Sequence, residues 1–291
     1  MIIGATGLLA PGKLRWLRAF GWMIALAVAL VIAFNAVARA LLWLLAGDGS
    51  TASATDKLIA ACAGAVALLI LYWLAVRVGE RRRVSELSLR QAPAELLLGS
   101  ATGAALIGLV IGLLWLFGWV VIEPQPVSRI ALALRDSIRS GVLEEVLLRL
   151  VIFRLLWRAI GIWPALAGSA ALFGMLHLAN PDSSLFAAIA LACGEGVGIG
   201  LYLITGRVWA SIGMHAAWNF TQGWVFGAAV SGMTDIAGGP SSLHSATGVP
   251  DLLSGGGFGP EASLAALIVS LLASAAFLWW PWKHGRFVEA N

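Results

Sequence analysis

The sequence is poor in charged residues and in cysteine. Asp, Glu, Lys and Arg make up 12% of its 291 residues and 60% are hydrophobic, whereas soluble domains are about 25% charged. This excludes a soluble globular enzyme and a disordered chain, and a net charge of +4 is too small for a nucleic-acid patch. Cys62 and Cys193 lie in apolar runs and form neither a disulfide framework nor a cysteine metal site. We therefore expect the lipid bilayer as partner and no nucleic acid.

Long apolar runs are abundant. About 20 apolar residues let a helix cross the hydrocarbon core. Runs of this kind cover 20–46, 57–76, 95–122, 142–160, 163–179, 184–204, 207–229 and 262–282. The sequence therefore predicts an all-α, polytopic membrane helix bundle with about eight transmembrane helices. Fourteen tryptophans against two tyrosines, many near the ends of these runs, are typical of interfacial aromatic belts.

Basic residues are distributed unevenly between the connecting segments. If the N-terminus is cytoplasmic, the segments on that side hold thirteen Lys and Arg, whereas the outer segments hold Lys57 and Arg129. Multi-pass proteins carry their excess of Lys and Arg on the cytoplasmic side. We therefore predict a multi-pass integral protein with both termini cytoplasmic. The Ala-, Leu-, Arg- and Trp-rich composition indicates a bacterial cell membrane.

Two segments interrupt the succession of spans. Residues 123–141 interleave charged and apolar residues, which predicts an interfacial amphipathic helix, with Gly141 as a break before the next span. Residues 231–261 are rich in Gly and Ser and predict a long outer loop, either a lid or a plain linker. We divide the chain into N-terminal transmembrane helices (1–127), a core with the candidate site (128–229), and a Gly/Ser-rich loop with a C-terminal transmembrane helix (230–291).

Few ionisable residues lie inside the predicted spans, where each costs about 2.5–3.5 kcal/mol. Glu145 and Arg149 stand at i, i+4 and predict an ion pair, whereas the adjacent Glu144 faces another direction without a local partner. Such a carboxylate in a low-dielectric site suits a general base or acid. The alternative is a buried cluster that only fixes helix packing. Glu195, on the sixth predicted span, is either a hydrogen-bonded structural acid or part of the same cavity.

Two histidines complete the set of candidate residues. Phe173 precedes His177 by four residues, and His215 precedes Asn219 by four, so each pair shares a helix face. His215 and Asn219 could bind a ligand, donate hydrogen bonds to an oxyanion, or tie two helices together. With Glu144 they meet the needs of peptide hydrolysis by an activated water. His, His and Glu are also a zinc-type ligand set, so the residue types leave a metal site open.

Three short motifs occur in order on successive predicted spans. They are Glu144-Glu145-x-x-x-Arg149, Phe173-x-x-x-His177 and His215-x-x-x-Asn219. This set resembles the CAAX-protease and bacteriocin-processing family, also called abortive-infection proteins, whose members are intramembrane glutamic endopeptidases related to the type II CAAX prenyl endopeptidase. The resemblance covers about residues 128–225. It departs from the family at Leu148 and Leu150, since the family often has Phe-Arg-Gly there.

The resemblance implies an intramembrane protease that cleaves a membrane-associated peptide or a lipidated protein, including a prenylated CAAX-type substrate. The implied roles are water activation for Glu144 and His177, oxyanion stabilisation for His215 and Asn219, and support for Glu145, Arg149 and Phe173. The implied mechanism requires no cofactor, although a bound divalent metal such as zinc stays open.

Two alternatives to a protease stay open at this point. One is a non-catalytic immunity or scaffold protein of the same family, and the other is a proton-coupled transporter that uses the intramembrane carboxylates and histidines. The predicted topology also puts Glu144 near the outer side, whereas a prenylated CAAX substrate would be cytoplasmic. Either the amphipathic segment 123–141 lies deeper in the membrane than an interfacial helix, or the substrate is a different membrane-associated peptide.

Overall fold

The protein, described by a computed structural model over residues 6–47 and 51–287, is mostly helical. Its α-helices are α1 (Arg15–Ala46), α2 (Ala54–Ala75), α3 (Ala92–Leu116), α4 (Ile130–Arg139), α5 (Arg154–Ile160), α6 (Ile162–Leu176), α7 (Leu185–Thr205), α8 (Trp209–Phe220), α9 (Asp251–Ser254) and α10 (Leu264–Lys283). The π-helical segments are Val76–Glu80, Ser140–Glu144, Val146–Phe153 and Thr221–Val225. One antiparallel ribbon joins strands β1 (Val120–Pro124) and β2 (Ser241–Ser245).

Six helices within the described residues are long and apolar enough to cross a membrane. They are Arg15–Ala46, Ala54–Glu80, Ser85–Leu116, Ile162–Ala179, Leu185–Thr205 and Leu264–Lys283. The chain is thus a polytopic helical membrane protein, as predicted. The other two predicted spans, 142–160 and 207–229, are largely helical but are not among the six. The first contains five charged residues, and the second consists of the 12-residue α8 and a π-turn.

Two predicted boundaries are wrong. Helix α3 ends at Leu116 instead of reaching 122, because Gly118 has a φ of +69° and the chain then enters β1. Gly141 does not break the chain before the next span, since the backbone stays helical from α4 to α5. Gly141 instead gives room to α8, because a Cβ there would lie 2.8 Å from Ala216 Cβ.

The residues predicted as a long outer loop fold back over the bundle. We call residues 226–263 the outer segment. Its strand β2 pairs with β1 so that Ser245 lies opposite Val120 and Ser241 opposite Pro124. The ribbon is extended by a 3.0 Å hydrogen bond from the Gln125 N–H to the Pro240 carbonyl. The outer segment is therefore fastened to the chain that leads into α4, which a plain linker would not be.

Backbone-to-backbone packing fixes α8 against α3. A Cβ on Gly99 would lie 2.0 Å from the carbonyl oxygen of Ala210, and one on Gly103 would lie 2.0 Å from that of Met214. Small residues at four-residue spacing allow this close approach of helices in lipid. Since Met214 precedes His215, the contact also sets the height of that histidine in the bundle.

A buried ion network connects the π-turn after α2 with α5. Glu80 accepts hydrogen bonds from Arg154 at 2.8 and 2.6 Å and from Arg82 at 2.8 Å. Glu86 accepts from Arg82 at 2.9 and 2.6 Å and from the Tyr72 hydroxyl at 2.7 Å. Both carboxylates have guanidinium partners, as buried charges require. The network anchors one end of the helix that carries the candidate site.

Candidate functional site

A cavity of about 540 Å³ lies between the helices of the core and the outer segment. Its lining includes all of the residues singled out in the sequence: Glu144, Glu145, Arg149, Phe173, His177, Glu195, His215 and Asn219. Much of the remaining wall is apolar, with Leu106, Leu147, Leu191, Val197, Met214 and Val269. Polar groups that converge on one cavity with partly apolar walls are typical of a small-molecule or substrate site.

Glu145 and Glu144 contact opposite nitrogens of His215. His215 Nδ1 lies 2.8 Å from Glu145 Oε1, and the Glu145 side chain is fully buried. The carboxylate can only accept, so Nδ1 carries the proton. His215 Nε2 lies 3.8 Å from Glu144 Oε2, which is too long for a direct hydrogen bond. The Glu144 side chain is 35% exposed and is thus accessible from the cavity.

Arg149 connects two buried carboxylates. Its Nε lies 2.9 Å from Glu145 Oε2, so the predicted pair is present, but the two atoms form an ion pair without hydrogen-bond alignment. A terminal nitrogen of Arg149 donates a 2.5 Å hydrogen bond to Glu195 Oε2 on α7. Gly198 makes room for the guanidinium, since a Cβ there would lie 2.0 Å from one of its terminal nitrogens. Glu195 therefore belongs to the charge cluster in the cavity wall.

His177 stands at the C-terminal end of α6. Its Nδ1 lies 2.8 Å from the Phe173 carbonyl oxygen, so Nδ1–H is the donor and Nε2 carries a lone pair in the neutral ring. The Phe173 ring contacts the His177 ring edge-on at 4.5 Å and the His215 ring at 6.3 Å and 90°. Phe173 is thus the spacer that sets the separation of the two histidines.

Asn219 contacts the helix of the two glutamates, and not His215. Its Nδ2 donates a 2.9 Å hydrogen bond to Ser140 Oγ, and Ser140 Oγ in turn donates to the Asp136 carbonyl at 2.8 Å. An amide nitrogen has two protons, so one donor of Asn219 is left for a bound group. Sequence reasoning missed Ser140, because a serine between a helix and a span carries no specific signal.

Glu261 is a second acid that sequence reasoning missed. It lies in the outer segment, is buried, and lines the cavity. Its Oε1 accepts from the Ser231 N–H at 2.6 Å and the Ser231 hydroxyl at 2.7 Å, and its Oε2 accepts from the Trp218 indole at 3.3 Å. Burial raises the pKa of the Glu261 carboxyl, against the opposing effect of these donors. Nothing in the sequence indicated this burial, because a buried glutamate in a Gly- and Pro-rich loop has the same local sequence pattern as a solvent-exposed one.

The arrangement offers a base, a second imidazole and hydrogen-bond donors around one space. Glu144 has no hydrogen-bond partner among the described residues and faces His215 Nε2, so a water can contact both groups. Within residues 6–47 and 51–287, no group of three or more His, Cys, Asp and Glu side chains is arranged to hold a metal ion.

Fold and site together define a polytopic membrane protein with a buried carboxylate–histidine site. Residues 126–221, about a third of the chain, match the family model described as Type II CAAX prenyl endopeptidase Rce1-like. This segment is a domain of that family, which is a protease family, and the predicted resemblance is confirmed for it. The match implies an intramembrane protease of the CAAX type. No curated protein and no solved structure matches the chain significantly.

Proposed function

We propose that the protein is an intramembrane endopeptidase that hydrolyses a peptide bond in a membrane-associated peptide or lipidated protein. The observation that carries the proposal is Glu144, whose carboxylate opens to the cavity 3.8 Å from His215 Nε2 within the family-matched segment. Glu145, by contrast, is engaged by Arg149 and His215. Of the two adjacent glutamates, Glu144 is therefore the one available to a substrate water.

In this mechanism the base acts first. Glu144, assisted by His177, takes a proton from a water whose oxygen attacks the scissile carbonyl carbon. The electron pair of the carbonyl moves to its oxygen, and His215 and Asn219 donate hydrogen bonds to the resulting oxyanion. When the C–N bond breaks, Glu144 returns the proton to the leaving amine. The chemistry thus needs no covalent intermediate and no cofactor.

Glu145, Arg149 and Phe173 act by positioning the reacting groups. Glu145 accepts from Nδ1–H of His215 and orients the ring so that Nε2 faces Glu144 and the space between them. Arg149 offsets the charge of Glu145, and Phe173 spaces the two histidines.

We further propose that 142–160 and 207–229 also lie within the membrane, which gives eight spans with cytoplasmic termini, a helix at 130–139 at the interface, and a bacterial membrane location. The charges of the first segment support this, because Glu145, Arg149, Arg154 and Arg158 are each at most 1% exposed. A helix with its charges turned inward presents an apolar surface to lipid. We also propose that the chain has three parts: N-terminal transmembrane helices (1–127), the core with the candidate site (128–229), and the loop with the C-terminal transmembrane helix (230–291).

The test is cleavage of a quenched fluorescent peptide by detergent-purified protein. Two substrates are compared, a prenylated CAAX peptide and a membrane-associated peptide without the CAAX end. We expect Glu144→Gln to lower kcat by about 10²–10⁴-fold, the usual contribution of a general base, and His215→Ala to lower it as well. Glu123→Gln removes an exposed carboxylate on β1 and is the matched control.

The outcomes separate the alternatives. Cleavage that survives a strong chelator and is lost in Glu144→Gln supports the glutamate mechanism, and inhibition by the chelator points to a metal instead. Full activity of Glu144→Gln refutes the assignment of the base. A folded wild type that cleaves neither peptide supports the non-catalytic relative, and uptake of protons into liposomes would support the transporter.

A further inference from the structure

Four side chains in the wall of the cavity form a cluster with an unbalanced charge. They are Glu145, Arg149, Glu195 and His215, whose side chains are 0%, 2%, 2% and 13% exposed. Two carboxylates face one guanidinium, which leaves one excess negative charge among largely buried side chains. Such a charge is costly unless a proton or a cation balances it.

The contacts indicate where the balancing proton resides. Arg149 donates to Glu195 at 2.5 Å and lies 2.9 Å from Glu145, whose other oxygen takes His215 Nδ1 at 2.8 Å. The positive charge of Arg149 next to both carboxylates, with its hydrogen bond to Glu195, favours their ionised form. The imidazole is the group flanked by negative charge on both sides, since Glu144 lies 3.8 Å from Nε2. The proton therefore belongs on His215.

We propose that Glu195 is a positioning residue that keeps His215 in the imidazolium form by engaging Arg149. Without Glu195, Arg149 would face Glu145 alone, and the negative charge around His215 would fall by one, which weakens the hold on a proton at His215 Nε2. With Glu195 present, Nε2–H is a charged donor directed to the place where the oxyanion develops. The inference rests on the proposed function for its catalytic consequence, whereas the charge of His215 can be measured independently.

Other charged groups also surround this histidine. On the helix from α4 to α5 they are Arg135, Asp136, Arg139, Glu144, Glu145 and Arg149, on α7 Glu195, after α6 His177, and in the outer segment Asp235 and Glu261, all of which line the cavity. Arg135 is paired with Asp136 at 2.5 Å, so these two cancel. Of the remaining groups, Glu195 is the one that contacts Arg149 and so competes with Glu145 for its positive charge.

The experiment measures kcat and KM against pH for the wild type, Glu195→Gln and Glu195→Asp. We expect Glu195→Gln to move the alkaline limb of kcat to lower pH by about one unit, the effect of a nearby charge, with KM unchanged. Glu195→Asp keeps the charge and should keep the wild-type limb. Glu80→Gln, which removes a buried carboxylate from the separate network with Arg154, should lower the melting temperature without moving the limb.

A direct readout is ¹⁵N NMR of the histidine rings in detergent, with His215 assigned by His215→Gln. We expect both ring nitrogens of His215 to be protonated in the wild type at neutral pH, and Nε2 to lose its proton in Glu195→Gln. A neutral His215 in the wild type, or an alkaline limb that does not move in Glu195→Gln, overturns the proposal. If the wild type cleaves no peptide, the proposed function fails, and the NMR result still decides the charge of His215.

Discussion

Adding one methyl group at Gly198 is the sharpest test of the site geometry. A Cβ there would lie 2.0 Å from a terminal nitrogen of Arg149, 2.7 Å from Cζ and 2.8 Å from Nε. An ordinary contact is about 3.5–4.0 Å, so the guanidinium has to move by about 1.5 Å. It cannot swing into water, because the Arg149 side chain is held by Glu145 and Glu195 and is only 2% exposed.

The cost of Gly198→Ala follows from this displacement. Overpacking a well-filled interior costs about 1–3 kcal/mol, and losing one partner of a buried ion pair costs about 3–5 kcal/mol. We therefore expect Gly198→Ala to lower the free energy of unfolding by about 1–5 kcal/mol. The preference of a helix for alanine over glycine, about 1 kcal/mol, offsets only part of this loss. Because Glu145 also orients His215, a displaced Arg149 should disturb the histidine too. A misplacement of about 1 Å can lower a rate about 100-fold.

The assay measures thermal unfolding in detergent and, on the fluorescent peptide that the wild type cleaves, kcat normalised to the amount of folded protein. Gly168→Ala on α6 is the matched control, since its Cβ would meet Leu156 Cδ1 at an ordinary 3.5 Å. We expect Gly198→Ala to melt at a lower temperature and to lose about 100-fold in kcat, and Gly168→Ala to be unchanged or more stable. Wild-type stability and activity of Gly198→Ala would refute the position of Arg149. A lower melting temperature with unchanged kcat would refute its link to catalysis.

The contact of α3 with α8 predicts that Gly103→Ala lowers stability by about 1–3 kcal/mol, since its Cβ would meet the Met214 carbonyl oxygen at 2.0 Å. Gly108→Ala, with nothing within 4 Å, should be neutral or stabilising, and equal melting temperatures of the two variants would contradict the packing. For Glu261, burial raises the pKa of the folded-state carboxyl. Between its ordinary and its raised pKa, the folded state holds a proton that the unfolded state has released, so stability falls as pH rises through that window. Glu261→Gln cannot titrate, so its melting temperature should gain on the wild type across the same window, and a pH-independent difference between the two proteins would argue against a buried, proton-holding acid.

The sequence alone determined the features that depend on neighbouring residues. Apolar runs of about 20 residues located the membrane helices, and the i, i+4 spacing predicted the Glu145–Arg149 pair found at 2.9 Å. The order of the motifs predicted the family of residues 126–221. Each of these signals is read along the chain, within one helix or from the order of short motifs, so no knowledge of the packing was needed.

Only the tertiary structure decided how these helices form one site. The hydrogen bond of His215 to Glu145 joins residues 70 apart in sequence, and that of Arg149 to Glu195 joins residues 46 apart. Glu261 and the outer segment reach the cavity from a loop that looked like a linker. The π-helical backbone around the glutamates and the helical course through Gly141 were also not predicted. Partners distant in sequence are chosen by the fit of whole helices and by the need to pair every buried charge, and neither constraint is contained in a local pattern.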